Sequence, residues 1–242
     1  MINNFKNSDS LKYYLKDQSN KTGISISHCY LHFFGRNLLE KIALFEYDKL
    51  ALKGSFVQYV HLGKMTRPTT DIDFATPEYH REAVNTIILK VTSYDFGDNI
   101  KWEFDTKPNI TRTGIIKLKL YARFDKIIQP ISIDLSAQNY HIYEIQRKSM
   151  PCTFDHDQPF YIYTPSHEEH LAEKVCIIAE SNKEDVLNTR IKDFYDIYKL
   201  HGGLYNRKKF AKYFEMSIVD RNKIAIDNLT SEYLDNNYII KH

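Results

Sequence analysis

Two stretches in the middle of the chain alternate apolar and polar residues, and a change to helical spacing follows them at Pro165. Between Gly114 and Phe124, Leu118 and Leu120 fall on one side and Lys117, Lys119 and Tyr121 on the other. Between Ile131 and Leu135, Ile131, Ile133 and Leu135 oppose Ser132 and Asp134. A period of two is that of a half-buried strand, whose successive side chains point to opposite faces. Shorter segments read the same way: Leu50-Ala51-Leu52, Asp71 to Phe74, Ile100 to Phe104 and Phe160 to Tyr163.

Helical spacing frames these strands. A short amphipathic stretch carries Leu11, Tyr14 and Leu15, and a helix is expected over Ile24 to Phe45 from Leu31, Phe34, Leu38, Ile42 and Phe45. Phe56 to Leu62 reads as helix, and Pro77 at the favoured first position opens another over Glu78 to Val91. Beyond Pro165, Ser166 and Glu169 form a capping-box pattern for a helix reaching Ser181. A second is expected from Glu184 to Leu200, stopped by Gly202-Gly203, a third from Lys208 to Met216, and a last one closes the chain. The expected class is α+β: a small mixed sheet flanked by helices over 1–164, with 1–45 as a helical N-terminal extension, then a helical bundle over 165–242.

Composition excludes several classes. Of 242 residues, 43% are hydrophobic and 26% charged, a balance that argues against long disorder. The net charge of +2 excludes a polybasic nucleic-acid coat, so any RNA contact needs a local patch. Cys29, Cys152 and Cys176 are too few and scattered for a disulfide framework, and none forms a C-x-x-C pair. The first twenty residues lack the apolar core of a signal peptide, and no run is apolar enough to span a bilayer. A reduced, cytoplasmic protein with no membrane partner is expected.

Asp71 and Asp73 sit at positions i and i+2 of a strand, so both carboxylates project from one face. Alone they repel, and one would take up a proton; a hard divalent cation removes that cost. Asp134 is a third acid, on another expected strand, and the three make a candidate Mg²⁺ (or Mn²⁺) site. A bare D-x-D also fits a pair of solvent-facing acids. Lys53-Gly54-Ser55 follows a strand and opens a helix, a junction whose free amides suit phosphate, and equally an ordinary turn. It is not a P-loop, because Gln58 stands where the first glycine would be needed for Gly63-Lys64.

Together these segments carry more information. Lys53-Gly54-Ser55 followed by Arg67-Pro68-Thr69-Thr70-Asp71-Ile72-Asp73-Phe74 resembles the signature of the polymerase β-like nucleotidyltransferase superfamily, and within it the AbiEii/AbiGii toxin family. Ile133-Asp134-Leu135 looks like that family's third acid. Glu173-Lys174, Arg190 and Lys192-Asp193-Phe194-Tyr195-Asp196 resemble its Glu-Lys and Arg-x-basic-Asp-x-x-Asp segments. The likeness covers Leu50 to Leu200 and leaves both ends, and Asp95 to Lys126, without a matching motif.

The resemblance implies metal-dependent transfer of NMP from an NTP to an acceptor, by a toxin of a toxin–antitoxin or phage-defence pair. Asp71, Asp73 and Asp134 would hold the metal, with Asp134 alternatively deprotonating the attacking hydroxyl. Lys53, Gly54, Ser55, Arg67 and Thr70 would bind the nucleotide. Lys174 would contact phosphate, and Asp193 would orient it or join the metal site. The implied partners are an RNA acceptor such as the tRNA 3′ end and a cognate antitoxin. A catalytically silent nucleotide-binding or protein-interaction module is the alternative, and a purely structural interaction protein a third.

On helical wheels, Leu171, Val175 and Ile178 form one apolar face with Lys174 at its edge. Val186, Leu187, Ile191, Phe194, Ile197 and Tyr198 form the other, with Asp193 at its edge and Arg190 inside it, where a charge needs a partner such as Asp193. His167-Glu168-Glu169-His170 is not H-E-x-x-H and reads as surface. Cys152 and Cys176 lack an evident base. Lys117, Lys119 and Tyr121 fit an RNA-stacking face or simply the exposed side of a sheet, and Arg207, Lys208, Lys209 and Lys212 a solvated helix start.

Overall fold

The computed structural model describes residues 5–45, 50–76, 84–105, 108–111, 115–136, 142–181 and 190–221. It divides into two compact units, Met1–Pro165 and Ser166–His242. Pro77 and the first six residues of the helix expected after it, the first part of the helix expected from Glu184 with Val186 and Leu187, and the closing helix lie outside the described residues.

The first unit begins with helices α1 (Ser8–Thr22) and α2 (Ile26–Ala43), followed by strand β1 (Ala51–Lys53), helix α3 (Gly54–Leu62) and strand β2 (Ile72–Ala75). A π-helical stretch, Thr86–Lys90, runs into a helical turn, Val91–Ser93. Then come β3 (Lys101–Phe104), β4 (Asn109–Ile110), β5 (Ile115–Phe124), β6 (Ile127–Ser136), β7 (Ile145–Met150) and β8 (Phe160–Pro165). The main sheet runs β1-β2-β6-β5-β3, with β4 also on β5. It is mixed, because β2 and β6 are parallel and the other pairs antiparallel. β7 and β8 form a separate antiparallel pair.

Alternation decides which face is buried. In β6, Ile131, Ile133 and Leu135 are wholly buried, as are Phe74 of β2 and Leu120 of β5. They join one hydrophobic cluster with Leu11 and Leu15 of α1, Phe34, Leu38 and Leu39 of α2 and Val57 of α3. The N-terminal helices are therefore part of the core that backs the sheet. Ser8 at the start of α1 is pinned to the β5–β6 turn: its amide and hydroxyl donate to the Asp125 carboxylate at 3.0 and 2.8 Å. A buried polar knot fixes the segment before β8. Arg36 of α2 donates to the carbonyls of Pro151 and Gln158 and pairs with Asp157 at 3.3 Å.

In the second unit, α4 (His167–Ser181) packs against both α5 (Ile191–His201) and α6 (Arg207–Arg221). Ser166 caps α4, its hydroxyl accepting from the Glu169 amide at 3.2 Å. Among the described residues no helix is long and apolar enough to cross a membrane.

Two strands are absent from the sequence reading. β4 is two residues long, and β7 carries Gln146, Arg147, Lys148 and Ser149, which show no apolar alternation. Pairing with a neighbour, rather than intrinsic pattern, makes both of them strands.

Candidate active site

β2 and β6 run parallel in a register that sets Ile72 beside Ile133, Asp73 beside Asp134 and Phe74 beside Leu135. The apolar partners turn into the core, so Asp73 and Asp134 both face the other way. The outer neighbours continue the row: Lys53 of β1 is the register partner of Asp73, Lys117 of β5 that of Asp134, and Asn109 of β4 that of Lys117. Register partners share a face with Cα atoms about 5 Å apart. The polar face thus carries one lateral line, Lys53–Asp73–Asp134–Lys117–Asn109, with two carboxylates at its centre and a lysine on each flank. Asp71 sits two residues before Asp73 at the mouth of β2 and is half-buried, like Lys53, Asp73 and Asp134.

Lys117 closes one side of this line. Its Nζ lies 2.9 Å from Asp134 Oδ2, with the two side chains 52% and 23% exposed. That contact, then the charge of Asp134, and at longer range those of Asp71 and Asp73, hold the ammonium above its ordinary pKa against a small opposing effect of burial. One lysine thus responds to all three acids. A pair this exposed is worth about 0.2–1 kcal/mol. Beside it opens a hollow of roughly 440 Å³, lined among others by Thr70, Asp71, Asn109, Lys117, Lys119 and Asp134.

The turn at Lys53-Gly54-Ser55 is shaped around Asp73. Gly54 has φ +63°, and a Cβ placed there would lie 1.9 Å from Asp73 Oδ2. Only glycine permits that backbone approach without moving the carboxylate. The Ser55 hydroxyl donates to Thr69 Oγ1, which donates to the Asp71 carbonyl at 2.8 Å. Ser55 and the buried Thr69 therefore tie the start of α3 to the loop that delivers Asp71. Thr70 is exposed at the hollow, while Arg67 is half-buried with one guanidinium nitrogen 3.4 Å from the Pro68 carbonyl.

The donor chemistry of this face fits a hard cation in a limited way. Among the described residues no group of three or more His, Cys, Asp or Glu side chains is gathered closely enough to hold a metal ion. What the sheet does assemble is two adjacent carboxylates, with an ammonium already on Asp134, and Asp71 lines the hollow beside them. Mg²⁺ is commonly held by one or two carboxylates together with substrate phosphates and water, so two side chains meet its need.

The second unit gathers another predicted set. Lys174 of α4 is buried, and its Nζ lies 2.6 Å from Asp193 and 3.2 Å from Asp196, both on α5. Burial pulls the ammonium pKa down, but the charges of Asp193 and Asp196, the Asp193 hydrogen bond and nearby Glu173 outweigh it and hold it above the ordinary lysine value. Asp196, which the wheel gave no role, is wholly buried.

Several expectations for these helices need correction. The buried stripe of α5 is Asp193, Asp196 and Leu200, while Ile191 is 69% and Tyr198 71% exposed. The carboxylates turn inward because Lys174 supplies the countercharge; Ile191 and Tyr198 face water, while Phe194 and Ile197 are half-buried. Arg190 is the N-cap residue rather than part of an apolar arc, half-exposed and 3.7 Å from Asp193. His167 to His170 is not a surface turn. His170 and Glu169 are buried, and His167 Nε2 lies 3.1 Å from the Leu200 carbonyl. Lys119 and Tyr121 do stand on the polar face of β5, engaged with Asp105 at 3.8 and 3.2 Å.

A family model described as nucleotidyl transferase AbiEii toxin, type IV toxin–antitoxin system, matches residues 37–239. No curated protein matches the sequence. Among solved structures, the chain is similar in fold to MenT4, a nucleotidyltransferase toxin from Mycobacterium tuberculosis H37Rv. The TM-score is 0.64 at 14% identity, over 90% of this chain and 76% of that one. It is also similar to a putative nucleotidyltransferase from H. pylori, with TM-score 0.51 at 15% identity over 88% and 86% of the two chains.

Proposed function

The chain belongs to the nucleotidyl transferase AbiEii toxin family of type IV toxin–antitoxin systems, and from that premise we propose a specific site and acceptor for its nucleotidyltransferase activity. The reading is metal-dependent transfer of NMP from an NTP to the 3′ end of an RNA, with tRNA the first acceptor to test. The observation that carries it is the register placing Asp73 beside Asp134, with the Gly54 backbone against the Asp73 carboxylate.

Asp71, Asp73 and Asp134 are the residues that would hold Mg²⁺ or Mn²⁺. A divalent cation held there would supply positive charge to offset that of the triphosphate and the departing pyrophosphate. In its alternative role, Asp134 takes the proton of the attacking hydroxyl as that hydroxyl's oxygen bonds to the α-phosphorus and the bond to the bridging oxygen breaks. Gly54 and Ser55 present the start of α3 to the terminal phosphates, where free amides favour an anion. Lys53, Arg67 and Thr70 complete the nucleotide contacts. Lys174, for which the motif implies a phosphate contact, is held within the helical unit by Asp193 and Asp196. The domain reading is a nucleotidyltransferase unit over 1–164 and a helical bundle over 165–242, and the family implies a cognate antitoxin as partner.

The full chain incubated with Mg²⁺, each labelled NTP in turn and total tRNA tests this reading. Label should pass to RNA from at least one NTP, and Asp71→Ala or Asp73→Ala should abolish it. Transfer that persists in both variants removes the assignment of the site.

A further inference from the structure

The sequence offered two uses for Lys117, an RNA-facing side chain or the plain outer face of a sheet, and its position supports something more particular. We infer that Lys117 is an exchangeable internal cation: it neutralises Asp134 in the free protein and, once displaced by a divalent cation, binds a backbone phosphate of the nucleic acid acceptor. This rests on the proposed metal-dependent transfer and assigns the acceptor side of the same site.

Three observations carry it. The first is register: Lys117 is the cross-strand partner of Asp134, and its Nζ lies 2.9 Å from that carboxylate. A cation entering between Asp73 and Asp134 meets this ammonium as a direct competitor. The second is how loosely the pair is held. Its side chains are 52% and 23% exposed, whereas Lys174 and Asp193 are 9% and 10% exposed, with Asp196 adding a second carboxylate. Water screens the first pair and lets it exchange; burial locks the second.

The third is the hollow that the same ammonium lines. Thr70, Asn109, Lys119 and Ser132 line it with neutral and cationic hydrogen-bonding groups, and Asp71 and Asp134 add negative charge. A phosphodiester is repelled by those acids until they are countercharged. Metal entry supplies the countercharge and releases Lys117 together, so acceptor binding follows metal binding. Lys119, two residues along β5 and so about 7 Å from Lys117 on the same face, offers a second cation for the next phosphate. A lysine is suited to this work because its ammonium is a compact point charge on a flexible stem.

The test uses the full chain as wild type, Lys117→Gln and Lys117→Arg. Mn²⁺ binding is measured without nucleotide, from the loss of the free-ion electron paramagnetic resonance signal. Binding of bulk tRNA is then measured with Mn²⁺ across a salt series. Removing the competing charge should tighten Mn²⁺ binding in Lys117→Gln on the order of tenfold. The slope of log affinity against log salt for tRNA should become shallower by about 0.7 if one single-strand phosphate contact is lost. Lys117→Arg should keep the wild-type slope, and NTP affinity at saturating Mn²⁺ should be unchanged in both variants.

Unchanged or weaker Mn²⁺ binding in Lys117→Gln overturns the exchange, and that is the result a merely structural lysine would give. An unchanged salt slope, or transfer to protein instead of RNA, overturns the acceptor role while leaving nucleotidyl transfer intact. A wild type that binds neither Mn²⁺ nor NTP brings down this inference and the underlying reading together.

Discussion

The two units each gather lysine and aspartate, and they do so in opposite ways. On the sheet, Lys53, Asp73, Asp134 and Lys117 form a line across strands, half-buried or exposed, with adjacent like charges at its centre. In the helical unit, one buried ammonium meets two buried carboxylates. Charges in water contribute little to stability but can change partners; charges taken out of water cannot be left single. The sheet face suits the charged ligands of the proposed reading, and the helical cluster holds one side chain in one place.

The largest effect should come from breaking the buried cluster. Lys174→Met leaves Asp193 and Asp196 without their countercharge and should cost about 3–5 kcal/mol in urea denaturation. Adding Asp193→Asn and Asp196→Leu to the same chain should recover most of that loss. Because Lys174 is held above the ordinary lysine value of 10.5, its contribution is fully present below that pH and declines only as pH rises through the still higher folded value. A loss of stability between pH 7 and 9 that vanishes in Lys174→Met would contradict the assignment.

A smaller effect separates backbone from site. Gly54 and Gly63 have nearly the same φ, +63° and +70°, but a Cβ on Gly63 meets nothing within 4 Å, whereas one on Gly54 strikes the Asp73 carboxylate. Gly63→Ala should therefore cost only the left-handed backbone penalty, about 1–2 kcal/mol. Gly54→Ala should cost more, and should also lower nucleotidyl transfer to the level of Asp73→Ala. Equal stability and equal activity in the two variants would show that the close approach to Asp73 has no function.

Which side chains of the sheet face outward was readable in the sequence because strand alternation is local. Ile133-Asp134-Leu135 and Asp71-Ile72-Asp73 each announce which side chain faces out, and no partner can alter that parity. Pairing between strands is not local, so neither the opposition of Lys117 to Asp134 nor Asn109 at the end of the row could be read from spacing. The helical half misled for the same reason in reverse. A wheel sorts residues by hydrophobicity, and it set Ile191 and Tyr198 inward. Lys174, on a different helix, makes Asp193 and Asp196 the buried face instead.

The smallest effect is the most direct measure of the contrast. A double-mutant cycle on Lys117 and Asp134 should return a coupling of about 0.2–1 kcal/mol, as half-exposed pairs do. That coupling should fall further as salt shortens the screening length from about 10 Å at 0.1 M to about 3 Å at 1 M. The matching cycle on Lys174 and Asp193 should be several times larger and nearly insensitive to salt, since buried pairs are screened far less. A strong, salt-resistant coupling at Lys117 would mean that the ammonium is fixed on Asp134. The sheet face would then resemble the helical cluster, and a cation could not displace the lysine at modest cost. Weak coupling there leaves Asp134 available to a competing ion, which is the property that sets this face apart.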